Sequence, residues 1–149
     1  MTELSVNITK TINAPIEQVF DAWLDPQTLS SFMQPIPGMP APETTIDASV
    51  GGRFLIKMNV GDQIIPHEGS YHEIQKPNLL VFSWESPFSG EGSVVTLNLK
   101  SLSATSTELN LVHVKFPDEE SRSNHEGGWT AILDLLNNIT NESKSTSPA

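Results

Sequence analysis

Alternation opens the chain. In Leu4–Ile12 (LSVNITKTI), Leu4, Val6 and Ile8 fall on one side and Ser5, Asn7 and Thr9 on the other. A period of two over this length predicts a strand with one buried face. The period then changes. In NAPIEQVFDAWLD, Ile16, Val19, Phe20 and Trp23 recur at helical spacing. Asn13 is placed to cap this helix, Pro15 suits a first turn, and Glu17 suits the positive end of the dipole. The helical pattern restarts after Asp25-Pro26, predicting a second short helix with Leu29, Phe32 and Met33 inward. The next segment, QPIPGMPAPE, has four prolines in ten residues, which forbids a helix or a central strand. It reads as an extended connector, or as a rim or lid over a pocket.

From Thr44 the period of two returns. TTIDASVGGRFLIKM turns at Gly51-Gly52 and then sets Phe54, Ile56 and Met58 against Arg53, Leu55 and Lys57. QIIPHEGSYHEIQ is a strand that Pro66 and Gly69 should bulge or bend. LLVFSWE places Leu80, Phe82 and Trp84 on one face; SVVTLNLKSL does the same with Val95, Leu97 and Leu99. TELNLVHVKF puts Leu109, Leu111 and His113 on one side. Short turns between these segments predict an antiparallel meander.

The pattern ends in a helix, PDEESRSNHEGGWTAILDLLNNIT. Asp118 is its expected cap, and Glu119 and Glu120 suit its first turn. Trp129, Ile132, Leu133, Leu136 and Ile139 form one apolar face. About twenty-two residues would span roughly 33 Å, close to the width of seven strands at about 4.8 Å spacing. One helix could therefore cover the apolar face of a whole sheet. If the sheet curves around it, a gap opens between them. Gly127 and Gly128 sit inside this helix although each costs about 1 kcal/mol relative to alanine. Tight packing against a strand is the first explanation; a helix thinned beside a pocket is the second.

Composition narrows the class. The chain has 149 residues and reads as one domain over residues 1–142, with a loose polar tail at 143–149. No apolar run is long enough for a membrane span, and the N-terminus lacks the features of a signal peptide. With no cysteine there is neither a disulfide nor a thiolate site. A cytoplasmic location is expected. The net charge of −10 would repel a phosphate backbone, so nucleic acid and membrane are not expected partners.

The candidate chemistry is sparse. His67, His72 and His125 each precede a glutamate, but none has a second histidine four residues on, so no zinc motif forms and no metal is expected. On a strand, His67-Glu68 and His72-Glu73 point to opposite faces and cannot chelate together. His113 shares the parity of Leu109 and Leu111 and should point inward. It reads as a satisfied core histidine, as a polar anchor in a cavity, or as an acid or base. His125, one turn before Trp129, could approach the same region. There is no nucleophile elbow and no phosphate loop. Arg53 should point outward.

Taken together, APIEQVFDAWLDP, the GG-x-F strand start and the H-x-x-F-P … GGW … L ending resemble the START-like (SRPBCC) superfamily. Within it they resemble the heat-shock-protein-90 ATPase activator homologues, over about residues 4 to 140. The resemblance implies an α+β helix-grip fold. A curved antiparallel sheet of six to seven strands would wrap around a long C-terminal helix, with two short helices after the first strand. It implies a deep cavity between helix and sheet, and little about activity, because one fold carries many functions. Eukaryotic activators carry a further domain ahead of this one, which is not expected within these 149 residues. The resulting expectation is non-covalent binding of a small apolar ligand, without a cofactor. Phe54, Ile56, Met58, Phe82, Trp84, Leu97, Leu111, Trp129 and Leu133 would line the cavity, with His113 as polar contact. The alternatives are an interaction module for a chaperone or for self-association, linked to stress response, and a cyclase or hydrolase using His113.

Overall fold

The computed structural model describes residues 5–33, 42–60, 62–85, 92–115 and 118–145. Seven strands form one antiparallel sheet in the order β1-β7-β6-β5-β4-β3-β2. They are β1 (Ser5–Ile12), β2 (Glu43–Ile46), β3 (Arg53–Val60), β4 (Gln63–Gln75), β5 (Leu79–Ser83), β6 (Val94–Ser103) and β7 (Ser106–Val114). Strands β2 to β7 run as a meander. The first strand returns to pair with the last, Val6 opposite His113 and Ile8 opposite Leu111. Two short helices, α1 (Ile16–Ala22) and α2 (Pro26–Phe32), lie between β1 and β2 in the chain. They carry it from one edge of the sheet to the other. The long helix α3 (Glu119–Ser145) packs against β1 and α2.

The inner face of the sheet follows the alternation. Phe54, Ile56, Met58, Leu80, Phe82, Val95, Leu97, Leu99, Leu109 and Leu111 are all buried. Trp129, Ile132, Leu133 and Leu136 of α3 close over them. Ile139 lies outside the described side chains. At about 25 cal/mol per Å² of apolar surface, this shared face is the main stabilising term of the fold. The irregularities also have local causes. Between β4 and β5 the register shifts at Tyr71/Glu73, whereas Pro66 and Gly69, where a bulge or bend was expected, keep unbroken register with β3. A β-carbon at Gly69 would lie 2.0 Å from the Ser83 carbonyl oxygen, so only glycine allows this approach.

Three further local expectations change. Asn13 does not cap α1: Pro15 occupies the cap position without a side-chain hydrogen bond, and the Asn13 N–H donates to Asn137 Oδ1 of α3 at 2.9 Å. That bond, with Lys10–Asp134 at 2.8 Å, ties α3 to β1. The sheet's edge strand β2 begins at Glu43, one residue before the predicted start. Helix α3 continues to Ser145, so the boundary expected at residue 142 falls within a helix. Asp118 does cap α3, its Oδ1 accepting the Ser121 N–H at 2.8 Å. Asp25 likewise caps α2 through the Thr28 N–H at 3.2 Å. The proline-rich stretch read as a connector or lid lies, over residues 34–41, outside the described residues.

Candidate functional site

Helix α3 leans towards the β1 side of the sheet and leaves the β3–β4 end less covered. There a half-open cleft of about 620 Å³ separates the first half of α3 from the sheet. Its floor is Met58, Ile65 and His67, on paired strands with Met58 opposite Ile65 and Ile56 opposite His67. Trp84, Trp129 and Ile132 form its inner wall. The α3 side is a single helical stripe, with Ser121, Asn124, His125 and Gly128 about one turn apart. Glu120, Ser123, Gly127 and, from the sheet, Gln63 complete the rim.

Gly127, on the rim beside that stripe, stands in open space. A β-carbon there would meet nothing within 4 Å, so the glycine is not filling a tight helix–strand contact. At Gly127, of the two explanations offered by the sequence, the geometry matches the helix thinned beside a pocket. The volume falls within the ordinary range for small-molecule sites, about 300–1,000 Å³.

Behind this wall the described side chains pack closely. Trp23, Leu29, Met33, Phe54, Ile56, Tyr71, Phe82 and Trp84 surround a space of only about 10 Å³. Phe54 stacks edge-on to Phe82 at 5.4 Å, and Trp23 edge-on to Phe32 at 5.0 Å. Of the residues expected to line a cavity, Met58, Trp84 and Trp129 reach the cleft. Phe54, Ile56, Phe82, Leu97, Leu111 and Leu133 are buried core. Among the described residues the space around Phe54, Ile56 and Phe82 closes to about 10 Å³, and the cleft lies to one side of it.

His113 is fully buried, as its parity required, but it stands behind the cleft wall rather than in the cleft. The Trp129 indole N–H donates to His113 Nδ1 at 3.0 Å. Nδ1 therefore carries a lone pair, and the neutral ring holds its proton on Nε2. Nε2 in turn donates to Ser93 Oγ at 2.5 Å. Burial, followed by the nearby His125 and His67, pushes His113 down to about 3, so it is neutral at ordinary pH. A base acting on Ser93 would need its lone pair on Nε2, and Trp129 holds it on Nδ1. The trio orients Trp129 as a wall; it does not activate a serine.

The two other inward histidines flank the cleft. His67 is 8% exposed, and its Nδ1–H donates to the Ile65 carbonyl at 3.1 Å. Burial, with a smaller contribution from His125, lowers it to about 4. His125 donates from Nδ1 to the Ser121 carbonyl at 2.8 Å, and burial lowers it too. Its ring lies 5.3 Å from that of His113, the approach expected from its position one turn before Trp129. His67, Ile65 and Gln63 were not singled out as site residues. Parity with Ile65 and Tyr71 is the sequence signal that places His67 on the inner face.

The outer face carries a different cluster. Arg53 points outward as expected and bonds Ser70 Oγ at 2.9 Å and both Glu68 and Glu85 at 3.1 Å. These groups are about half exposed, and such pairs contribute little stability.

With this geometry in hand, comparison with known proteins is decisive for the family. Residues 13–141 match the family described as activator of Hsp90 ATPase homolog 1-like protein. The chain belongs to that family. No curated protein matches. Among solved structures, an HSP90 activator from Plasmodium falciparum is 25% identical, with 91% of this chain and 95% of that one covered and a TM-score of 0.74. CalU16 from Micromonospora echinospora is 26% identical, covering 89% and 73%, with a TM-score of 0.67. A Chromobacterium violaceum protein, 23% identical over 91% and 96% with a TM-score of 0.76, shares the fold. The helix-grip architecture of the activator-homologue family is thus the architecture of this chain. No helix among its described residues is long and apolar enough to cross a membrane.

Proposed function

We propose that the chain binds a small, largely apolar molecule non-covalently in the cleft between α3 and the β3–β4 end of the sheet. The observation that carries this reading is the combination of volume and lining: about 620 Å³ walled by Met58, Ile65, Trp84, Trp129 and Ile132, with a polar rim. Apolar walls supply affinity and a few polar groups supply orientation. Nile red, an uncharged dye, tests it. Saturable fluorescence enhancement is expected, and Gly127→Leu, which adds a branched side chain at the cleft rim without disturbing the core, should weaken it. Enhancement undiminished by Gly127→Leu would place the dye elsewhere and contradict the reading.

The second reading is contact with a chaperone, favoured by family membership and by the similarity to the Plasmodium falciparum HSP90 activator. It would use the outer surface and be indifferent to the cleft. Stimulation of Hsp90 ATPase by wild type and Gly127→Leu alike would support it. The enzyme reading is weakest, because both ring nitrogens of His113 are engaged by Ser93 and Trp129.

A further inference from the structure

The lining of the cleft also discriminates between kinds of ligand, a step that rests on the reading above. Among its described residues there is no lysine or arginine, and its one formally charged side chain is Glu120. An anion entering it would give up hydration with no cation to receive it. The positive end of α3 offers no substitute. Asp118 caps it, and Glu119 and Glu120 occupy its first turn. The chain as a whole carries a net charge of −10, which adds long-range repulsion of the same sign.

The lining does offer a hydrogen-bond acceptor. His67 is more than nine-tenths buried, and its Nδ1–H is committed to the Ile65 carbonyl. In the neutral ring the lone pair is therefore on Nε2, on the far side of the imidazole, and no described donor bonds to it. The ring is held against Trp84 at 5.1 Å between centroids. Trp84 lies 4.9 Å from Trp129 with the rings tilted 53° to one another, giving the cleft an aromatic wall. An acceptor beside an apolar wall favours a ligand that brings a donor, because a ligand that displaces water from it without offering one leaves it unpaired.

We infer that the cleft selects neutral or cationic aromatic molecules that carry a hydrogen-bond donor, such as phenols and aryl amines. His67 Nε2 accepts from the donor, the rings rest on Trp84 and Trp129, and carboxylates are rejected.

Three probes of one shape test this by calorimetric titration at pH 7: 2-naphthol, 2-methoxynaphthalene and 2-naphthoate. Wild type should bind 2-naphthol about tenfold more tightly than 2-methoxynaphthalene, the size of one net hydrogen bond. It should bind 2-naphthoate most weakly. His67→Phe should erase the preference for 2-naphthol and leave the methoxy compound within about twofold, since only the acceptor is lost. The wild-type series decides the matter even if that variant fails to fold. Equal affinity for the first two probes would overturn the role of His67 while leaving the cleft reading intact. Naphthoate binding as tightly as naphthol would overturn the charge selection. Failure of all three to bind would remove the inference together with the apolar-ligand reading.

Discussion

The two halves of α3 face the same sheet and do opposite things. Its second half, with Leu133 and Leu136, meets Leu109, Leu111 and Ile12 in a filled core. Its first half, with Ser121, Asn124 and Gly128 on successive turns, stands away from Met58 and Ile65 and leaves the cleft. Trp129 is the boundary, bonded to His113 on the core side and lining the cleft on the other. The contrast teaches that sheet curvature alone does not make a binding space here. Side-chain volume along one helical stripe decides where the interior closes.

The sharpest way to break this comparison is truncation on each side of the boundary. Leu133→Ala or Leu136→Ala should cost about 3–5 kcal/mol in urea unfolding, because each leaves a cavity in packed surroundings. Ile132→Ala, which widens a space that already exists, should cost about 2 kcal/mol. Equal losses at the three positions would erase the distinction between the halves.

Acid should weaken the boundary next. The folded-state values of His67 and His113 lie at about 4 and about 3, below the ordinary value of 6.5, chiefly through burial. Above pH 6.5 neither folded nor unfolded chain protonates these rings, and they add no pH dependence. Below it the unfolded chain takes up protons that the folded chain refuses, so stability falls as pH falls. Each such histidine contributes up to about 1.4 kcal/mol per pH unit. Urea midpoints between pH 6.5 and 4.5 should therefore drop, and His113→Gln should flatten the slope. A wild-type midpoint that is level across this window would show that the histidines are not held neutral.

Trp129→Phe follows. It keeps an aromatic wall but leaves His113 Nδ1 without its donor, at a cost of about 1–3 kcal/mol. It should also relax the tautomer, visible as a change in the His113 ring-nitrogen NMR shifts; unchanged shifts would contradict the bonding assigned to the pair. The smallest effect is expected at Gly127. With open space around its would-be β-carbon, Gly127→Ala should raise stability by up to about 1 kcal/mol through helix propensity. A loss would mean that the position is packed after all.

Much of the frame was legible in the amino-acid pattern. Period-two segments became β1 to β7, the stripe from Trp129 to Leu136 became the buried face of α3, and Asp118 became its cap. The site was less legible for a physical reason. Parity tells which face of a strand is inward but not which inward positions are covered by bulk. Phe54, Phe82, Leu97 and Leu111 have the same inward parity as Met58, yet α1, α2 and the second half of α3 cover the interior they share. Extending the α3 stripe backwards from Trp129 by one and two turns reaches His125 and Ser121, where apolar bulk stops. That step marks the cleft in the sequence itself. His113 was correctly placed inward, while its bonding to Ser93 depends on β6 meeting β7, which no local pattern specifies.

The central claim is that the space beside the first half of α3, and not the interior beneath its second half, receives the ligand. Methyl- and indole-resolved NMR during titration with 2-naphthol tests it most directly. The account predicts saturable shifts at Met58, Ile65, Ile132 and the Trp84 and Trp129 indoles, with Leu109, Leu111 and Leu136 unmoved. Shifts concentrated on those three leucines, or none at the cleft, would contradict it.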